Sequence, residues 1–260
     1  MTVDSSARKD VSIVVPVYQE GAAIATFLRE LREAILRFSF VRVPELIFVD
    51  DGSTDGTRET LERARSEWTV PQIRLVYRNA KGGTVSAQIA GFRECSTPFA
   101  VTMDADGQHP AGVIDSLAAA VTPEIDLVVA SRKISGGGAE WDRVERRTTS
   151  EGARMLARLL LPPARRVSDP ISGFFLAKRD WVAALPPPPQ CYKLLLYLLA
   201  AHPKFHAREI PYQMRPRAAG ESKVVGGGLQ YRRRFLSELW RYRKFWAAAR
   251  RTVSDVSVSR

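Results

Sequence analysis

The sequence predicts an α/β fold built on a mostly parallel sheet. Three observations predict it. Short β-branched runs alternate with helix-period segments at least four times. The connections between them are short, as in successive βαβ units. The chain has 260 residues, 45% hydrophobic and 26% charged, which is ordinary for one globular α/β domain with appendages. That composition argues against a collagen-like, disordered or disulfide-stapled chain.

The elements follow in order. Residues 11–17 (VSIVVPV) read as a buried strand. Residues 22–38 read as a helix with Ile24, Phe27, Leu28, Leu31, Ile35 and Leu36 on one face. ELIFVD at 45–50 is a second strand, running into the turn cluster DGSTDGT. A helix over 57–68, a strand over 73–77 and a helix over 86–93 follow. FAVTMD at 99–104 is a fourth strand, 111–121 a helix and DLVVASR at 126–132 a fifth strand. The second half is less regular. It predicts a loop over 133–140, a helix over 144–161, a polyproline spacer over 186–189 and a helix over 192–201. A segment over 205–214 reads as a strand, 218–228 as a flexible loop and 229–251 as a basic, aromatic-rich helix.

Parallel sheets of this kind bind ligands beyond the carboxyl ends of their strands. Asp50 and Asp51, Asp104 and Arg132 stand at such ends, so one rim collects them. Asp104, Asp106 and Gln108 have the spacing to converge on a divalent cation, and hard oxygen donors suit Mg²⁺ or Mn²⁺. The same pattern also suits a solvated acidic turn with a helix cap. Asp51, Ser53, Asp55, Gly56 and Glu62 match positions of a calcium-binding helix-loop-helix. The preceding segment is a strand, however, so the turn reads as a ligand-facing loop with Asp55 capping the next helix. The dispersed cations Arg132, Arg146, Arg217 and Lys223 suit phosphate if they surround one site.

Net charge is +11, which favours polyanions, nucleotide diphosphates or an anionic membrane. Nucleotide P-loop, dinucleotide-binding and serine-hydrolase motifs are absent from the sequence, and its three histidines lack metal-ligand spacing. His109, beside Pro110, reads as a loop or rim residue, and Cys95 as packed in the sheet layer. Two cysteines make neither a disulfide framework nor a zinc site. No apolar run reaches the roughly 18 residues of a membrane span. The N-terminal residues carry no apolar leader core.

Seven motifs in order carry a resemblance. VVPVYQE (14–20), VDDGSTDGT (49–57), MDADGQHP (103–110) and the Ser131-Arg132 pair resemble the inverting family 2 glycosyltransferases with a GT-A, Rossmann-like fold. Trp141, Arg146 and Ser150, then DPISGFF (169–175), then Arg217, Gly220, Ser222 and Lys223 are similar to the polyprenyl-phosphate (dolichol-phosphate) mannose synthases. The resemblance covers residues 11–224. Lys133 stands where the family usually has Tyr, and Tyr197 where it has an acidic residue.

The resemblance implies a nucleoside pocket lined by Pro16, Val17, Tyr18 and Glu20, with Val49 and Asp51 at the base and ribose. It implies Mg²⁺ or Mn²⁺ on Asp104, Asp106 and Gln108, with Ala105 between them. Arg217 and Lys223 would hold the donor, GDP-mannose or another nucleotide sugar. Arg132, Arg146, Ser150 and Asp169 would receive the acceptor phosphate of a polyprenyl (dolichyl-type) lipid. Asp104, Asp106, Arg132 and Arg146 would carry catalysis, a direct displacement with inversion. The rivals are a UDP-sugar donor, a catalytically silent GT-A binding module and a basic nucleic-acid binder. The acidic rim counts against nucleic acid.

The expected organisation is a flexible N-terminus over 1–10, a GT-A domain over 11–224, a membrane-interfacial helix over 225–251 and a disordered tail over 252–260. Phe235, Leu236, Leu239, Tyr242 and Trp246 share one face of that helix among many arginines. Docking of this face on the domain is the alternative. The expected location is cytoplasmic, peripheral to the cytoplasmic face of a membrane, with a membrane-protein partner possible in principle.

Overall fold

The computed structural model describes residues 8–79, 81–140, 144–186, 193–217 and 229–258. Its first half runs β1 (Lys9–Val17), α1 (Ile24–Ile35), β2 (Val41–Arg42), β3 (Glu45–Asp50), α2 (Thr57–Glu67), β4 (Gln72–Tyr77), α3 (Thr84–Glu94), β5 (Phe99–Thr102), α4 (Val113–Ala119) and β6 (Leu127–Ser131). Then come β7 (Gly138–Ala139), α5 (Val144–Leu160), a 3-10 helix (Pro162–Arg166), β8 (Phe175–Lys178), α6 (Arg179–Ala183), α7 (Leu194–Ala201), β9 (Ala207–Pro211), β10 (Gln213–Met214) and α8 (Leu229–Val258).

The main sheet has the order β4-β3-β1-β5-β8-β6-β9, with β2 added beside β1. Every pairing is parallel except those of β8, which runs antiparallel to both β5 and β6. The fold is therefore the α/β, mostly parallel sheet flanked by helices that the sequence predicts. β7 and β10 form a separate parallel pair. The period of two puts alternate side chains on opposite faces. Val11, Ile13, Val15 and Val17 join one core with Phe27, Leu28 and Leu31 of α1. Val14, Ile47 and Val49 join the other with Ile89 and Phe92 of α3. Cys95 packs in that second core, as expected.

Three boundaries differ from expectation. The N-terminal strand starts at Lys9, inside the segment read as flexible. Lys9 pairs with Val41, and its ammonium donates to the carbonyls of Ala118 (2.9 Å), in the last turn of α4, and Val121 (2.6 Å), just past it. A cation at a helix carboxyl end is favourable, which fixes this start. Helix α1 ends at Ile35, leaving Leu36 80% exposed rather than on the buried face. Helix α8 runs to Val258, past the expected end at 251, because no Gly or Pro interrupts it.

The face of α8 is the larger correction. Phe235, Leu239 and Tyr242 are buried against the domain rather than offered to a membrane. The Tyr242 ring stacks on Tyr197 of α7 at 5.6 Å between centroids. The cause lies in α7 itself. Its run LLLYLLAA is apolar on every side and is buried from Leu194 to Ala200, so it needs a covering helix. Tyr197, the residue that departs from the family's acidic one, completes the joint by donating to the Pro186 carbonyl (3.1 Å).

Candidate active site

The carboxyl ends of β1, β3, β5 and β6 open on one rim. After β1, the chain at Gln19 takes a left-handed turn (φ 54°). The Gln19 amide donates to Ser53 Oγ (2.9 Å), the Glu20 amide to Thr57 Oγ1 (2.9 Å) and the Gly21 amide to Asp55 Oδ2 (2.8 Å). Gly21 must be small here, because an added Cβ would meet the Asp55 carbonyl oxygen at 2.1 Å. Asp55 also accepts from the Thr57 hydroxyl (2.6 Å) and amide (3.3 Å), so it holds the first residue of α2, although the N-cap position itself is Gly56 rather than the expected Asp55. Asp50 holds the same turn, accepting from the Ser53 amide (3.0 Å) and pairing with Arg58.

Several expected pocket residues act through this scaffold. Val17 and Val49 are buried in the two cores, so their side chains do not line a pocket. Asp51 is also buried. Its carboxylate accepts from the amides of Gly82 (2.9 Å) and Gly83 (2.8 Å) and pairs with Arg78 (2.9 Å). Through those bonds Asp51 anchors the loop ahead of α3. That loop carries Lys81, whose ammonium lies 3.9 Å from the centre of the Tyr18 ring. Tyr18, Pro16 and Glu20 remain half-buried at the rim.

Beyond β5 the backbone turns through Asp104, Ala105, Asp106 and Gly107. Gly107 adopts a left-handed conformation (φ 78°) that lets the segment fold back. The Gln108 amide then donates to Asp106 Oδ1 (3.0 Å). Ala105 is buried in the core, and the carboxylates flank it. Burial pushes the Asp106 carboxyl up, and the neighbouring Asp104 charge pushes it the same way. Arg217 pairs with Asp106 Oδ2 at 2.9 Å, while its own Nε is buried without a hydrogen-bond partner among the described residues.

These features fit a divalent cation bound with a diphosphate. Two crowded carboxylates favour a cation between them. Gln108 directs its amide nitrogen to the Arg215 carbonyl (3.3 Å), so its oxygen is the atom that would face a cation. Gly173 faces Asp104 and His109: a methyl there would sit 3.5 Å from Asp104 Oδ2 and from the His109 ring. Among the described residues no group of three or more His, Cys, Asp or Glu could hold a metal.

His109 was expected at the rim and is instead enclosed. Its ring stacks on Phe174 at 5.0 Å and meets Tyr212 edge-on at 6.0 Å. Its Nδ1 accepts the Asp104 amide hydrogen at 3.0 Å. Burial holds its pKa below the usual imidazole range, partly opposed by Asp104. Neutral His109 thus fixes the backbone of the first acidic residue.

Arg132 and Asp169, expected as separate acceptor contacts, are paired with each other. Arg132 donates from Nε to Oδ2 (2.7 Å) and from Nη2 to Oδ1 (2.9 Å), and Asp169 has no solvent exposure. Arg132 thus spends Nε and Nη2 on Asp169, while its Nη1 lies 3.6 Å from Met214 Sδ. Lys133 pairs with Glu151 of α5 and so ties that helix, with half-buried Ser150, to the end of β6. Lys193, unforeseen as a site residue, starts α7 beside this cluster. Burial lowers its pKa, with Asp104 pulling the other way. The sequence signal was a lone cation ahead of an apolar run. Trp141, Gly220, Ser222, Lys223, Cys191 and the Arg146 side chain lie outside the described residues.

Comparison with known proteins gives the family and the fold. The model of glycosyl transferase family 2 matches residues 12–185. A dolichol-phosphate mannosyltransferase of Pyrococcus furiosus is 34% identical over 83% of this chain, which spans 59% of that protein's length. A protein of the same name from Mycosarcoma maydis is 34% identical over 92% of this chain and 82% of its own. Among solved structures, glucosyl-3-phosphoglycerate synthase from Mycobacterium tuberculosis, in complex with Mn²⁺, UDP and its product, superposes with a TM-score of 0.62. It is 21% identical and covers 91% of this chain and 79% of its own. That likeness extends to the fold alone, a GT-A glycosyltransferase fold.

Proposed function

The chain belongs to glycosyl transferase family 2 and is by that membership a glycosyltransferase; on this premise we propose that it transfers mannose from GDP-mannose to a polyprenyl phosphate. The observation that carries the reading is the Asp104–Asp106 pair at the rim, facing Arg217, whose buried Nε has no hydrogen-bond partner among the described residues. Such a site suits a nucleoside diphosphate and its cation. The relatives' names supply the sugar and the lipid acceptor.

The donor lies along the loops after β1 and β3, where Pro16, Tyr18 and Glu20 stand. Arg217, with Lys223, stabilises the negative charge that develops on the leaving diphosphate. A Mg²⁺ or Mn²⁺ ion held by Asp104, Asp106 and Gln108 would neutralise the same charge. His109 keeps Asp104 in place. The acceptor phosphate meets Arg146 and Ser150 at the start of α5, and the Arg132–Asp169 pair fixes the floor beneath it. A phosphate monoester is mostly dianionic near neutral pH, with a second pKa of about 6, so it attacks without a general base. His109 supplies none, since its Nδ1 is occupied by the Asp104 amide. One in-line displacement inverts the anomeric carbon.

The acceptor is membrane-borne in this reading, and the protein works at the cytoplasmic face of a membrane. No helix among the described residues is long and apolar enough to cross one. Incubation with radiolabelled GDP-mannose, Mn²⁺ and a polyprenyl phosphate, followed by solvent extraction, tests the reading. Label in the organic phase supports it. Label only from UDP-glucose replaces the sugar, and label from neither donor, with folded protein, defeats it in favour of a binding module.

A further inference from the structure

Beside the Arg132–Asp169 pair, which is closed on itself, the end of β6 carries a second cation. The Lys133 side chain is 19% exposed and pairs with Glu151 of α5. The same carboxylate accepts from Arg154 Nε at 3.0 Å, so one anion bridges two cations. Glu151 is 33% exposed and directly follows Ser150, and Arg154 stands one turn beyond Ser150 on the same side of α5. Burial pushes the Asp169 carboxyl up and the Arg132 bonds bring it below its usual range. The Lys133 charge adds to that lowering, so Lys133 lies beside the pair.

The two ion pairs differ in what they can release. Asp169 has no solvent exposure, and taking Arg132 from it would strand a buried charge. Glu151 is part-exposed and held twice, so losing Lys133 leaves it paired with Arg154 through their three-residue spacing. An ammonium is a point charge with three donors on a stem of rotatable bonds, so it can turn to a new oxygen without moving the backbone. A phosphate dianion attracts it more strongly than one carboxylate charge does. Lys133, Arg154 and Glu151 together also carry a surplus positive charge next to Ser150.

We propose that Lys133 is an acceptor-binding residue: its ammonium passes from Glu151 to the phosphate monoester of the acceptor, while Arg154 retains Glu151. This role rests on the proposed lipid-phosphate acceptor and adds a residue to its site. The family usually has Tyr at this position, so the contact is this chain's own. It ties acceptor affinity to the phosphate charge rather than to the hydrocarbon.

The test is isothermal titration of the full chain with geranyl phosphate, in Mn²⁺ and GDP, with geraniol as the uncharged control. Lys133→Met should weaken geranyl phosphate binding about tenfold, and Lys133→Arg should restore most of it. Geraniol should not separate the variants. Glu151→Gln removes the competing carboxylate charge, so it should bind geranyl phosphate as tightly as wild type or tighter. A pair that merely ties α5 to β6 would weaken both variants alike. In turnover, Lys133→Met should raise KM for geranyl phosphate about tenfold and leave KM for GDP-mannose unchanged. Wild-type affinity in folded Lys133→Met overturns the proposal, as does a wild type that binds no geranyl phosphate. Should Lys133→Met not fold, Glu151→Gln decides: affinity at or above wild type supports the contact, and a tenfold loss overturns it. Charge-dependent binding through Lys133 without mannose transfer strikes the proposed function and leaves the contact standing. Transfer with an unchanged acceptor KM in Lys133→Met does the reverse.

Discussion

Arg132 grips Asp169 through two parallel bonds, Nε to Oδ2 at 2.7 Å and Nη2 to Oδ1 at 2.9 Å, in a place closed to solvent. The Arg132 amide adds a third bond to Oδ2 at 3.2 Å. This pair joins the end of β6 to the segment before β8, the one strand in the main sheet that runs against its neighbours. It therefore sets the floor of the site.

Breaking the pair leaves a buried charge alone. Asp169→Asn should cost about 3–5 kcal/mol, read by urea denaturation at pH 7. Replacing both partners, Arg132→Met with Asp169→Leu, should recover most of that loss. Burial alone would raise the Asp169 pKa, but the Arg132 bonds outweigh it and the net shift is downward. The stabilisation is then present above the unfolded carboxylate pKa of about 3.9 and is lost as pH falls through the lower folded value. A double replacement as unstable as the single one would show that the pair does not act as a unit.

The carboxylate pair after β5 predicts a ligand-linked stability. With Mn²⁺ and GDP at about 100 times the dissociation constant, the wild type should gain about 2.7 kcal/mol, seen as a rise in melting temperature. Asp104→Asn and Asp106→Asn should each abolish the gain while melting near wild type without ligand. An undiminished rise in either variant would remove that residue from the metal site.

Much of this was legible because it is local. The strands β3, β5 and β6 are apolar runs bounded by turns, and their ends place Asp51, Asp104 and Arg132 on one rim. What escaped was long-range or short. Strand β8 has four residues, buried on both faces, and carries no period to read. The Arg132–Asp169 pair spans 37 positions, so sequence showed two polar residues but not that they fill each other. The face of α8 was grouped correctly at Phe235, Leu239 and Tyr242 but not at Leu236, which is 40% exposed, and its direction depended on α7 needing cover. His109 had no signal at all, since its role comes from Phe174 and Tyr212, far along the chain.

Gly91 predicts a packing limit behind the rim. Helix α3 crosses β1 and β3 so closely that a Cβ on Gly91 would lie 2.4 Å from Val14 Cγ1 and 3.1 Å from Val49 Cγ2. In an unconstrained helix Gly→Ala gains about 1 kcal/mol. Here overpacking of about 1–3 kcal/mol opposes it, so Gly91→Ala should be less stable by calorimetry. Val14→Ala removes the closest atom, so the double variant should be more stable than the sum of the single changes. Strict additivity would mean that the two sites do not touch.

His109 makes the sharpest demand on the site, because its Nδ1 is the acceptor for the Asp104 amide and its ring is walled by Phe174 and Tyr212. His109→Phe keeps an aromatic ring there but deletes the acceptor. The stranded amide should cost about 1–3 kcal/mol of stability. It also frees the backbone of Asp104, and loss of such a supporting bond typically weakens a metal site about 10–100-fold. Free Mn²⁺ measured by electron paramagnetic resonance, in the presence of GDP, reads that affinity without any turnover. His109→Asn, which restores an acceptor, should recover part of it. If His109→Phe were folded and bound Mn²⁺ as tightly as wild type, the histidine would be a packing residue and Asp104 would owe its position to the turn at Gly107 alone.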